Sequence, residues 1–278
     1  MKRAVTIQDI SCFGKCSITV ALPLISAMGV ECAVIPTAVL STHTGGFKGY
    51  TFHDLSSDIP EITKHWRAEK LSFDGVYTGY LGSPSQAQMI EDFIDDFSPE
   101  LRFIDPVMGD NGRLYAGFDK SIVTAMRKLC GKATVITPNL TEASLLLDEE
   151  YRESGTYDEE YIKNTLVRLT ELGAECAAIT GVRYSSCPDK QGVVGYNRTS
   201  GEYSSYFADD LPISCHGTGD VFASTMFASL MKGKTLEEAE RIAVSMTVKC
   251  IRHTMDDSSH WYSVKFEECI PYLLEISK

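Results

Sequence analysis

The residues best equipped for chemistry lie in one short stretch, Cys215-His216-Gly217-Thr218-Gly219-Asp220. Val221, Phe222, Ala223, Met226, Phe227 and Leu230 follow at helical spacing, which predicts a helix with Asp220 in its first turn. Gly217 and Gly219 admit backbone conformations that other residues avoid. The first amides of a helix have no intrahelical acceptor, and the helix dipole adds partial positive charge there. Such a turn is an anion site with a carboxylate beside it. Phosphoryl transfer needs both parts: donors for the charge that spreads over the moving group, and a base for the attacking hydroxyl. Taken alone, the stretch reads equally well as a glycine turn with an acid favouring a helix start.

The elements that would position this turn alternate along the chain. Apolar runs predict strands at Arg3–Gln8, Val30–Leu40, Phe73–Thr78, Leu101–Ile104, Ala133–Ile136 and Cys176–Thr180. Helical patterns lie between them: Ile18–Met28, with Pro23 delaying or bending it; Ser57–Ala68; Ser83-capped Pro84 to Phe97; Asp119–Leu129; a helix through Leu145–Leu147; and Tyr161–Leu172. Strand–helix–strand repetition predicts right-handed βαβ units and a parallel sheet. Gln191–Tyr196 and Glu202–Phe207, joined by Asn197–Gly201, predict a late antiparallel hairpin. Helices at Thr235–Arg252, with Thr235 as cap, and Val264–Leu274 close the chain. No repeat or composition break divides residues 1–278, so one α/β domain is the simplest count.

Polar clusters follow five of the strands: Asp9 onward, Ser41–Gly46 with His43 and Thr44, Gly79-Tyr80, Asp105–Asp110, and Thr137–Glu142. Local chemistry accounts for each one separately. His43 and Thr44 suit a plain loop, Asp105-Pro106 and Asp110-Asn111-Gly112 suit turns, and Asn139 or Thr141 suits a helix cap. In a parallel sheet, however, all five would meet the Gly217–Asp220 turn on one rim, where ligands of such sheets bind.

Composition sets bounds. The 278 residues carry a formal net charge of −12, with 44% hydrophobic and 23% charged residues. An acidic surface offers no general attraction to nucleic acid or anionic membrane, so a bound polyphosphate would need local donors or a metal ion. The apolar N-terminal stretch stops at Gln8-Asp9, too short for a signal peptide, and no run reaches membrane-span length. Nine cysteines, an odd number lying mostly in apolar patterns, read as reduced cytosolic thiols rather than a disulfide framework. The Cys12–Cys16 pair lacks the partners of a zinc site.

The chain also resembles a known family. Cys215-His216-Gly217-Thr218-Gly219-Asp220 is similar to the C-terminal signature of the ribokinase-like sugar and vitamin kinases. Asp105-Pro106-Val107-Met108-Gly109-Asp110 and Thr137-Pro138-Asn139-x-x-Glu142-Ala143 resemble the middle motifs of its vitamin-kinase branch. Ile7-Gln8 with Gly14, Ser41-x-His43-Thr44-Gly45 and Thr78-Gly79-Tyr80 resemble the pyridoxal kinases within that branch. The resemblance spans nearly the whole chain, in order. It implies a three-layer sandwich and ATP-dependent phosphorylation of a hydroxymethyl group on a B6 vitamer, with hydroxymethylpyrimidine or sugar kinases, or a non-catalytic sensor, as alternatives. It also implies roles: Asp220 as base; Gly217, Thr218 and Gly219 as anion hole; Asp105, Thr137 and Glu142, with Asn139, around Mg²⁺; Asp110, Asn139, Thr180, Gly181 and Thr218 at the nucleotide; Asp9, His43, Thr44 and Tyr80 at the substrate ring. A monovalent cation and a homodimer belong to the same expectation. Asp9 departs from the pattern, since pyridoxal kinases usually carry serine there; an ionised carboxylate would favour a cationic ring nitrogen or amine. Tyr184–Lys190 reads as a lid or as a plain surface loop.

Overall fold

The apolar runs of the first two-thirds of the chain become interior strands of one nine-stranded sheet, covered by helices on both faces, as parallel pairing requires. The computed structural model describes residues 1–213 and 215–278. In chain order the elements are β1 (Arg3–Ser11), α1 (Ile18–Ala27), β2 (Glu31–Leu40), β3 (Phe52–Asp54), α2 (Asp58–Ala68), β4 (Gly75–Thr78), α3 (Pro84–Phe97), β5 (Leu101–Ile104), β6 (Gly109–Asp110), β7 (Arg113–Leu114), α4 (Lys120–Cys130), β8 (Val135–Ile136), α5 (Leu140–Leu147), α6 (Glu159–Glu171), β9 (Cys176–Val182), β10 (Lys190–Asn197), β11 (Glu202–Asp209), α7 (Thr218–Met231), α8 (Leu236–Thr254) and α9 (Ile270–Ile276). The sheet order is β11-β10-β9-β8-β5-β4-β1-β2-β3. Its centre is parallel, and β3, β10 and β11 join antiparallel.

The two-residue period of the strands sorts side chains into two cores. Val5, Ile7 and Val76 join Ile59, Ile90, Met126, Leu146 and Leu166 from α2–α6 on one face. Ala4 and Tyr77 join Leu24, Phe227, Met246 and Leu273 from α1, α7, α8 and α9 on the other. Register then fixes the rim. Ile7 pairs with Thr78, Thr78 with Ile104, Ile104 with Ile136, and Ile136 with Ala177. Gly79, Asp105 and Thr137 therefore leave the sheet along one edge, and Asn139 bridges to Thr180 just beyond it; β1 runs past the expected end at Gln8 to Ser11, so Asp9 lies within the strand, at the register shift between Gln8 and Ile10.

Several expectations change. Pro23 lies inside α1 without ending it. Two short pairings emerge that periodicity does not reveal: β3, exposed along its length, and the β6–β7 hairpin. In that hairpin Asn111 (φ 51°) and Gly112 (φ 74°) make the left-handed two-residue turn that hairpins favour. The β9 strand runs on past Thr180 to Val182, with a register shift opposite it and Gly181 at φ 70°. The final predicted helix breaks into a 3₁₀ turn, Glu267–Cys269, and α9. All nine cysteines are free. Among the described residues no helix is long and apolar enough to cross a membrane. The Tyr184–Lys190 connection is anchored at its start, where Tyr184 packs on Phe207 at 5.3 Å.

One buried acid has no part in the rim. Glu240, on the second turn of α8, is fully buried against Gly195 of β10 and Ser204 of β11. Burial pushes its carboxyl up to about 8 from an ordinary 4.5, against the pull of the Ser204 hydroxyl. The folded chain thus keeps a proton that the unfolded chain releases, and stability falls as pH rises between those values. Glu240→Gln is expected to remove a slope of up to about 1.4 kcal/mol per pH unit. Urea unfolding at pH 5 and pH 8 checks this: the parent-to-variant stability difference should move in the variant's favour at the higher pH.

Candidate active site

The glycine turn forms as its residue types require. Gly217 is the N-cap of α7 in the left-handed region, at φ 82°, and a Cβ there would lie 2.7 Å from the Lys15 carbonyl oxygen. The Thr218 hydroxyl donates to the Cys215 carbonyl at 3.1 Å, and the Val221 amide closes the first helical bond on Gly217 O at 3.0 Å. Among the described residues no side chain caps the helix, and the amides of its first turn have no intrahelical acceptor. Asp220 is the one acid in that turn. Desolvation raises its carboxyl to about 7, and the negative charge of Asp9 adds to this; the Ser17 amide and Cys16 thiol beside it pull the other way. A carboxylate that titrates near neutrality is well matched to proton transfer at physiological pH.

A second group of acids lies beyond it. Asp105 and Glu142 are both buried. Asp105 is pushed well above the carboxylate range by desolvation, then by Glu142 and Asp220. Glu142 rises to about 8 by desolvation, held down by backbone amides. Its carboxylate accepts from Asn139 N at 2.9 Å and Met108 N at 3.1 Å, closing a capping box on α5. The buried Thr137 hydroxyl lies beside Asp105 and pulls its carboxyl down, yet among the described residues it makes no hydrogen bond of good geometry. Among the described residues no three His, Cys, Asp or Glu side chains stand close enough to hold a metal by themselves. Two carboxylates and a hydroxyl suit a hard cation that keeps waters or takes phosphate oxygens, which is the habit of Mg²⁺.

A model of the phosphomethylpyrimidine kinase family matches residues 15–264. The chain belongs to that family. Its structure superposes with a TM-score of 0.93 on a Bacteroides thetaiotaomicron protein assigned as a phosphomethylpyrimidine kinase, 40% identical over 98% of this chain and 93% of that one. A second crystal form of that protein, with pyridoxal, gives 0.92. Pyridoxal kinase from Lactobacillus plantarum gives 0.91 at 31% identity, over 99% of this chain and 98% of that one. The chloroplastic thiamine biosynthetic bifunctional enzyme TH1 of Arabidopsis thaliana is 29% identical over 84% of this chain, which spans 44% of the plant enzyme's length. The ribokinase-like α/β fold and the vitamin-kinase resemblance both stand.

Within this family member the rim gathers most of the expected residues. Asp9 is buried, with the Ser11 hydroxyl at 3.1 Å from its carboxylate, and its charge acts on Tyr80 as well as Asp220. Thr180 sits opposite Asn139, Gly181 is exposed beside it, and Asp110 lies exposed on the β6–β7 hairpin. Thr44 is exposed.

Two expected contacts are committed elsewhere. The His43 ring is buried, its Nε2 is 2.6 Å from the Tyr262 carbonyl, and its Nδ1 accepts from Gly45 N at 3.0 Å. A carbonyl can only accept, so Nε2 carries the proton. No free ring nitrogen is left for a substrate, and His43 is a loop staple. Asn139 accepts from Glu142 N and donates to Gly109 O, each at 2.9 Å. One N–H of its amide has no partner among the described residues.

The structure adds residues that the sequence reading left out. Phe118 stacks on Tyr80 at 5.5 Å and covers one face of that ring. The Tyr115 hydroxyl stands among Glu142, Asp110, Asp105 and Asp220, which all push it upward after desolvation. His216 packs on His43 at 5.1 Å. Phe47, Trp261 and Tyr262 form an aromatic cluster beside them. The polar composition of Asp9–Ser17 marks the loop that carries Cys16, but nothing in its pattern marks that thiol. A separate groove of about 460 Å³ between β11 and α8 contains none of these side chains in its walls.

Proposed function

We propose that the protein transfers the terminal phosphoryl group of ATP to the hydroxymethyl group of a B6 vitamer. The single observation that carries this reading is Asp220 in the first turn of α7, behind an uncapped glycine turn, with its proton affinity raised to about 7. Asp220 takes the hydroxyl proton as the substrate oxygen attacks the terminal phosphorus. The bond from that phosphorus to the bridging oxygen breaks, and ADP leaves. The amides of Gly217, Thr218 and Gly219 meet the charge on the transferred group. Asp105, Glu142 and the Thr137 hydroxyl would hold Mg²⁺, which neutralises phosphate charge in a protein of net charge −12. Asp110, Thr180, Gly181, Thr218 and the remaining Asn139 N–H face the nucleotide. The substrate ring stacks on the open face of Tyr80, since Phe118 covers the other.

Support for a vitamer comes from the relatives: one at 40% identity has a crystal form with pyridoxal, and one at 31% is a pyridoxal kinase. A Bacillus subtilis hydroxymethylpyrimidine/phosphomethylpyrimidine kinase, 25% identical to this chain, favours a second reading, the same transfer to a hydroxymethylpyrimidine. Both substrates are small aromatics with a CH₂OH group, so the anion hole and base serve either. The choice falls to Asp9 and its surroundings. A coupled ADP-release assay across pyridoxal, pyridoxamine, pyridoxine, hydroxymethylpyrimidine and ribose separates the readings. Turnover confined to the pyrimidine or to ribose rejects the vitamer assignment, and no turnover at all leaves a sensor. In the same assay Asp9→Ser is expected to change the ratio among the vitamers, with the largest loss for the most cationic one. Unchanged ratios would remove Asp9 from the substrate site.

A further inference from the structure

Three segments from distant parts of the chain close a circuit of contacts beside the turn that starts α7. The His43 ring donates from Nε2 to the Tyr262 carbonyl at 2.6 Å and accepts at Nδ1 from the Gly45 amide at 3.0 Å. Gly45 in turn lies against the His216 imidazole: a Cβ at position 45 would stand 2.6 Å from His216 Nδ1 and 2.7 Å from its Cε1. The two imidazoles pack with ring centroids 5.1 Å apart. The His216 carbonyl accepts from the Val264 amide at 3.1 Å, which leads back to the segment that holds His43. Gly45 has no positive φ, so the closeness of the His216 ring, not the backbone conformation, leaves no room for a side chain there. The other side of His43 is as tight, since a Cβ on Gly14 would stand 2.6 Å from His43 Cδ2.

We propose that His216 is a positioning residue that ties the loop after β2, residues 41–50, to the Gly217 turn. The inference rests on the phosphoryl-transfer reading above, in which that loop serves the substrate and the turn receives the phosphoryl group. Each binds a different reactant, and the two are far apart in the chain. The attacking oxygen and the phosphorus must nevertheless meet in line at about 3–3.5 Å, so something has to hold loop and turn in register. His216 is placed to do so. It directly precedes Gly217, the N-cap of α7. Its backbone is held by Val264, and its ring lies on Gly45 and His43. The residue is exposed, so no core depends on it. Among the described residues its ring nitrogens make no hydrogen bond, and the contact works through shape. A steric substitution on the opposite side can therefore probe it.

Gly45→Ala, His216→Ala and the double variant test the tie, with thermal melts to show each one folded. The atoms nearest a methyl at position 45 belong to the His216 ring, which can move aside, so the fold should hold while the contact gives way. The readouts are kcat and the KM of ATP and of pyridoxal by ADP release, and amide hydrogen exchange by mass spectrometry over residues 41–50 and 215–222. In each single variant kcat should fall about tenfold or more with both KM values held within about twofold, because loop and turn still bind their reactants but out of register. The double variant should match His216→Ala, where the methyl meets no ring; independent effects would multiply instead. Exchange reports the tie without activity. His216→Ala should speed it over residues 41–50, and Gly45→Ala over residues 215–222, each by about fivefold or more. Multiplied losses in the double variant overturn the inference, as do parental kcat in either single variant and a change confined to KM. A parent that phosphorylates no vitamer and no hydroxymethylpyrimidine shows that the transfer reading has failed. The exchange still decides the tie in that case, and parental exchange in both segments overturns it.

Discussion

Asp220→Asn is expected to retain nucleotide binding and lose at least about 10²-fold in kcat, the lower range for removal of a general base. The substitution keeps shape and hydrogen-bonding capacity at the start of α7, so the anion hole survives. It removes only the ability to accept the hydroxyl proton. The pH profile gives the sign. The carboxyl titrates near 7 because burial and Asp9 disfavour its charge, so parental kcat/KM should rise with pH through that region as the base ionises. The variant should lack this limb. Stability should move oppositely: a raised carboxyl weakens the fold as pH climbs from the unfolded value towards 7. At pH 8 the variant should therefore melt at or above the parent temperature, a common relation between activity and stability. Steady-state kinetics, nucleotide titration by calorimetry and thermal melts at pH 6 and 8 check all three. Near-parental turnover would assign the proton to another group.

The arrangement around Asp220 shows which parts of the site were legible in the chain. Parallel strands buried on both faces are apolar until they reach the rim, so Gly79, Asp105 and Thr137 stand out at the ends of their runs. Register then brings them together without further information. The β3 strand and the β6–β7 hairpin escape because two or three residues carry no period, and β3 has no buried face to mark it. Side-chain commitments escape for a different reason. The staple role of His43 depends on a carbonyl 219 positions away, at Tyr262. Phe118 covers Tyr80 only because the loop after β7 folds back over the rim. Such partners leave no local trace in sequence. Asn139 and Glu142 fall between these cases. The sequence offers Asn139 or Thr141 as the cap; the structure uses Asn139 and adds the Glu142 return bond of a capping box, with the Glu142 carboxylate also gripping Met108 N. One residue thus caps a helix, holds the strand-end loop and presents acid at the proposed metal position.

Gly217→Ala carries the second large expected effect, and it separates the anion hole from the base. At φ 82° an alanine costs about 1–2 kcal/mol in backbone strain. Its methyl would also meet Lys15 O at 2.7 Å, a backbone atom that cannot rotate away. Relief requires the turn to move off the β1–α1 loop, which shifts the first amides of α7 relative to Asp220. Loss of a single oxyanion donor typically lowers kcat about 10²- to 10³-fold, and this variant should fall in that range with only a modest drop in melting temperature. Its pH profile should keep the limb near 7, because Asp220 and most of its burial remain, and that is the contrast with Asp220→Asn. Gly219→Ala, also in the proposed anion hole, isolates the effect of the Lys15 contact: among the described residues nothing lies within 4 Å of its Cβ position, and its backbone carries no positive φ. A variant that loses turnover at Gly219 as severely as at Gly217 would place the close approach on the substrate side of the turn rather than against Lys15.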